Sequence, residues 1–91
     1  MEKLPIEYHL EVYETSFRND PSVSMMSDSQ FPAISVGDYY NHRLTSNWDY
    51  PPKPDEAFQV NRIEHIIWEN EGHHIGHKLM VCLVKVPHPE S

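Results

Sequence analysis

The chain has 91 residues, seven Lys and Arg against fourteen Asp and Glu, and a formal charge of −7 with its seven histidines neutral. That length allows one small domain with a thin core. The few cations are scattered from Lys3 to Lys85 and form no basic face of the kind phosphate binding needs, which argues against nucleic acid as a partner. A lone cysteine, Cys82, excludes an internal disulfide, and neither a signal peptide nor a membrane-length apolar run is visible, so a cytoplasmic protein without membrane contact is expected.

The first element is IEYHLEVYE, residues 6–14. Ile6, Tyr8, Leu10 and Val12 alternate with Glu7, His9, Glu11 and Tyr13, the period of a strand with one buried and one wet face. Residues 15–32 are polar and serine-rich and read as an irregular segment. Within it Asp20 and Pro21 have the form of a helix start, which suggests one short helix near residues 21–27, although SVSMMS reads equally well as extended chain. Met25 and Met26 are expected to fill gaps in the core. Val36-Gly37-Asp38 reads as a turn and residues 39–43 as a strand. Residues 44–57, with Pro51, Pro52 and Pro54, form a proline-rich loop.

FQVNRIEHIIWE, residues 58–69, is a second strong strand. Phe58 and Val60 share one face, but Ile63 and Ile67 fall on the other, and this change of phase points to a bulge near Asn61-Arg62 or to burial on both sides. KLMVCLVKV, residues 78–86, is apolar on both faces, so it is central or lies under a subunit interface. Residues 87–91 read as a frayed tail. The sum is an all-β domain over residues 1–91: a small antiparallel sheet or partial barrel of four or five strands. The run Ile34-Ser35-Val36-Gly37-Asp38-Tyr39, followed by FQVNRIEHII, resembles a pattern of SH3-like and PUA-like small barrels. In those barrels a Val-Gly-Asp turn opens a strand that pairs with the next one. The RNA binding frequent in PUA-like folds is not carried over, because the chain is acidic.

Four histidines crowd into EHIIWENEGHHIGHKLM. A hairpin closed at Asn70-Glu71-Gly72 would set Glu69 opposite His73 and His65 opposite His77, with those four side chains on one face. Opposed imidazoles can share a zinc ion, and Glu69 or His73 would complete the set. The same run reads otherwise as a solvated hairpin face, since no HExxH or paired CxxC accompanies it. Seven histidines titrating together would also take the formal charge from −7 to zero, which makes a pH-responsive interface a further reading.

Nothing in the sequence assembles a catalytic centre. Cys82 lies in the most apolar strand, where a raised pKa and an inert thiol are expected. The three glycines make no phosphate loop, and no spacing pairs the carboxylates. Trp48 and Tyr50 flank the prolines; they read as a binding hot spot, or Trp48 folds back over the barrel end. The expectation is therefore a non-catalytic interaction module that meets a protein partner through Trp48, Tyr50, Tyr39 and Tyr40. The two-faced apolar strand adds the expectation of a homodimer. Two alternatives stay open: a metal-binding or metal-sensing protein using zinc on His65, His73, His77 and Glu69, and an RNA-binding small barrel using Tyr39, Tyr40 and Arg43.

Overall fold

The computed structural model describes residues 4–41 and 48–89. Five strands run through them: β1 Ile6–Glu14, β2 Val23–Ser27, β3 Tyr39–Tyr40, β4 Glu56–Asn70 and β5 His74–Pro87. They form one mixed sheet, in the order β2-β1-β5-β4-β3, curled into a half-barrel, with no helix among the described residues.

The all-β expectation holds, with two differences in detail. Residues 23–27 take the extended alternative and pair antiparallel with β1, Val12 opposite Val23 and Tyr8 opposite Ser27, so the short helix near residues 21–27 does not form. Val23 supplies the reason: extended, it reaches the buried face beside Val12, which an isolated helical turn would not achieve. Met25 and Met26 lie on β2, at one edge of the sheet, and are exposed rather than gap-filling. The second difference is direction. β1 lies parallel to β5, Ile6 beside Ile75 through Glu14 beside Leu83, while the other three pairings are antiparallel. Pattern within a strand fixes which face is buried, but not which distant strand lies alongside.

β5 is the central strand, as its two apolar faces require. Its inner face gives Val81 and Leu83 to a core completed by Leu10, Val12, Val23, Phe58 and Val60. The bulge expected in β4 is present. Val60 pairs with Leu83 and Arg62 with Cys82, leaving Asn61 over, and this extra residue returns Ile63 to the face already held by Phe58 and Val60. The Ser35–Asp38 turn is closed by the Asp38 N–H on the Ser35 carbonyl at 3.0 Å, with Gly37 at φ +97°. It opens β3, which pairs with Phe58 and Gln59 as the barrel-like pattern implied.

The β4–β5 hairpin sets the molecule's long axis. Fourteen residues of antiparallel strand span about 48 Å, close to the 54 Å longest extent of a chain only 23 × 22 Å across. The core sits at the open end of this hairpin, which we call the base; the turn at the other end is the tip. On the outer face Trp68 lies across Gly76, where any Cβ would run into the indole, and its ring meets His9 at 5.5 Å. Pro87 still belongs to β5, and the His88 N–H reaches the Asp55 carbonyl at 2.8 Å, so the strand and its contacts extend past residue 86.

Candidate functional site

Two places on the half-barrel gather the residues singled out by sequence: the concave face toward the tip, and the loop at the base.

On the concave face His65 and His77 meet. The turn has the expected three residues but sits one position later: Asn70 pairs with His74, so the loop is residues 71–73, with Gly72 at φ +73° and the His73 N–H on the Asn70 carbonyl at 2.8 Å. This puts Leu79 opposite His65 and Ile67 opposite His77. The shift amounts to two residues, and two residues preserve the face of every side chain. His65 and His77 therefore become diagonal neighbours, and their rings still stack at 5.2 Å with Nδ1 of His65 2.9 Å from Nε2 of His77. Such a contact requires one ring to donate and the other to accept.

The pair lines a cleft of about 210 Å³ with Tyr8, Leu79 and the crossing segment that carries Phe31 and Ile34. The Tyr8 ring lies 6.0 Å from that of His77. Glu69 pairs with Ile75, and His73 lies in the turn, where it lines a different cleft with His74, Pro5 and Met26. Among the described residues no three His, Cys, Asp or Glu side chains come together as a ligand group. Of the four residues suggested for zinc, two are in contact.

At the base the aromatic residues divide. Trp48 packs on Phe58 at 4.9 Å and meets Tyr40 edge-on at 6.3 Å, so it folds back over the core, as one of its two readings had it. Tyr40 is half-buried, and burial raises its pKa. Tyr39 and Tyr50 remain exposed, with Lys85 5.9 Å above the Tyr50 ring. Arg43, needed by the RNA-binding reading, lies outside the described residues.

The residue that organises this loop is Glu14, which sequence reasoning passed over. Its carboxylate is buried at 3% exposure and accepts hydrogen bonds from the Asp49 N–H at 2.9 Å, the Tyr50 N–H at 2.8 Å and the Ser22 hydroxyl. Asn19 holds the Glu14 carbonyl at 2.9 Å. A signal was present: Glu14 falls in phase with Leu10 and Val12, on the face meant for the core. An acid there needs donors brought to it.

The outer face carries a third cluster, around Cys82. The loop after β1 covers the thiol, with Phe17 edge-on to Tyr13 at 5.2 Å and Arg62 5.6 Å above the Phe17 ring. Burial raises the Cys82 pKa against the opposing pull of Arg62, in keeping with its apolar strand. Burial, then the hydrogen bond to Glu11, then the charges of Glu11 and Asp20 push Tyr13 up to about 12.

The remaining feature is an edge. β3 covers β4 only at Phe58 and Gln59, and Val60 exchanges backbone hydrogen bonds with Gly37 and Asp38 at 2.8 Å each. Beyond Val60, residues 61–70 have no further strand beside them among the described residues. Ile66 and Ile67 stand on this length at 44% and 69% exposure. No family model matches the chain, and neither does any curated protein or solved structure.

Glu14→Ala leaves two backbone N–H groups and one hydroxyl without their acceptor. Each buried donor left unsatisfied costs about 1–3 kcal/mol, reduced where water can reach it. We expect a loss of about 2–4 kcal/mol in urea unfolding, together with a red shift of Trp48 fluorescence as its loop lifts. A loss below about 0.5 kcal/mol would show that the carboxylate does not hold the loop.

Proposed function

We propose that the protein is a non-catalytic interaction module that takes a protein partner along the open edge of β4. The observation that supports this reading is the combination of unpaired edge and exposed isoleucine: along residues 61–70 the backbone groups that face away from β5 have no further strand beside them among the described residues, and Ile67 is the most exposed of the large apolar side chains described, at 69%. Isolated proteins blunt such edges with bulges, prolines or inward charges. Here the bulge falls at Asn61 and charges stand at Arg62, Glu64 and Glu69, but between them Ile66, Ile67 and Trp68 leave a short apolar stretch on the edge. Strand addition supplies affinity through the backbone and specificity through alternate side chains. Tyr39 and Tyr50 offer a second contact surface at the base. A buried, unpaired thiol fits a cytoplasmic setting. No helix among the described residues is long and apolar enough to cross a membrane.

A photo-crosslinking amino acid placed at Ile67 tests the reading in cell lysate. It should trap a discrete protein product that the same group at exposed Ser29 does not trap. Equal labelling from both positions would remove the edge as the contact surface.

A second reading is favoured by the 2.9 Å contact of His65 and His77, which supplies two ligands of a zinc or copper site and leaves the others to come from outside the pair. In a zinc titration of metal-stripped protein, His65→Ala and His77→Ala should each weaken binding about tenfold or more while circular dichroism stays unchanged. Single substitutions that leave the affinity unaltered would exclude this site.

A further inference from the structure

We infer that the occupant of the β4 edge is a second copy of this chain, paired antiparallel to the first about a two-fold axis at Ile67. The inference rests on the interaction reading above and names the partner.

The direction of the backbone groups selects where such pairing can occur. Val60 turns its N–H and C=O away from β5, toward Asp38 and Gly37. After the bulge, pairing with β5 resumes at Arg62 opposite Cys82. The alternation of an antiparallel ladder then turns the N–H and C=O of Ile63, His65, Ile67 and Glu69 outward. The hairpin end agrees, because the Asn70 carbonyl is turned toward the other strand, where it accepts from His73. Two edges meeting with these groups aligned exchange about six backbone hydrogen bonds.

Side chains select the register. A two-fold axis perpendicular to the sheet pairs each residue only with one on the same face. Centred on Ile67, the pairing opposes Ile67 to itself and Ile66 to Trp68, so the exposed Ile67 and its exposed neighbour both gain apolar partners. The same register sets His65 against Glu69 and Glu64 against Asn70, with no like charges opposed. Other centres fit worse. An axis at His65 sets His65 against itself and Glu64 against Ile66. An axis at Ile66 sets Glu64 against Trp68 and Ile63 against Glu69. An axis at Glu69 opposes two carboxylates.

The pairing also stays clear of the Asn61 bulge, where the edge bends. It would join the two half-barrels into one continuous sheet and bring Glu69 of the second copy beside the His65–His77 contact.

Sedimentation velocity over a micromolar to millimolar range, with cysteine cross-linking, tests the inference. Wild-type protein should show a monomer–dimer equilibrium. Ile67→Lys opposes two ammonium groups at the axis and should raise the dissociation constant about tenfold or more with an unchanged circular dichroism spectrum. Ile67→Cys places two thiols within disulfide reach and should form a cross-linked dimer on mild oxidation, whereas His65→Cys, facing Glu69 of the second copy, should not. A wild-type protein that stays monomeric throughout overturns the inference, as does a dimer indifferent to Ile67→Lys or cross-linked equally well from position 65. If the wild type is monomeric yet the photo-crosslinker at Ile67 traps another protein, self-pairing fails and the interaction reading survives. If it traps nothing, both fail.

Discussion

β5 must be covered on both faces and flanked on both edges, and the rest of the architecture follows from that constraint. Its inner side chains Val81 and Leu83 are fully buried, and Cys82 on the outer face is nearly so. β1 takes one edge in parallel and β4 takes the other through a hairpin as long as the molecule. Once β1 holds the far side, β2 can only add to β1 and β3 only to β4. Since β3 contributes two residues, most of β4 is left as the border of the sheet. The open edge is thus a consequence of where the core had to be built. Strands long enough to flank β5 along its length extend past the base, where nearly all the close packing lies.

Two local devices make the arrangement possible. The bulge at Asn61 lets one strand serve the concave face with even-numbered residues at the base and odd-numbered ones toward the tip, so Phe58 and His65 look into the same half-barrel. Glu14 closes the base. A carboxylate in phase with the core is costly when bare, and here the chain returns residues 49 and 50 to it from 35 and 36 positions away. In a domain this small, with a total stability of only several kcal/mol, that set of hydrogen bonds is a large share of what fixes the aromatic loop. Trp48 and Tyr40 then pack, half-buried, against Phe58 at the border of the core.

Strand positions were legible in the sequence because period-two alternation is a strong signal in residues 6–14, and because the change of phase within residues 58–69 has few causes besides a bulge. The central position of β5 followed from its two apolar faces. The parallel neighbour was not legible: β1 and β5 are separated by most of the chain, and neither carries a mark of its partner. The strand at 23–27 was obscured by Asp20-Pro21, which suits a helix start but here precedes an edge strand. For the histidines, sequence fixed the face but missed the register by two residues, since the exact residues of a Gly-containing turn depend on its backbone geometry. Glu14 and the β4 edge had signals that went unread. One was a polar residue in an apolar phase; the other was the charge along Arg62, Glu64 and Glu69, frequent in strands at a border.

The central claim is that β4 beyond its bulge borders the sheet, with alternate backbone groups turned outward. Residue-resolved amide hydrogen exchange on dilute protein tests it directly. The amides of Ile66 and Trp68, bonded to β5, should be protected, while those of Ile63, His65 and Ile67 should exchange at nearly the rate of an unfolded chain. Equal protection of both sets at high dilution would mean that the edge is covered within the single chain and would contradict the account.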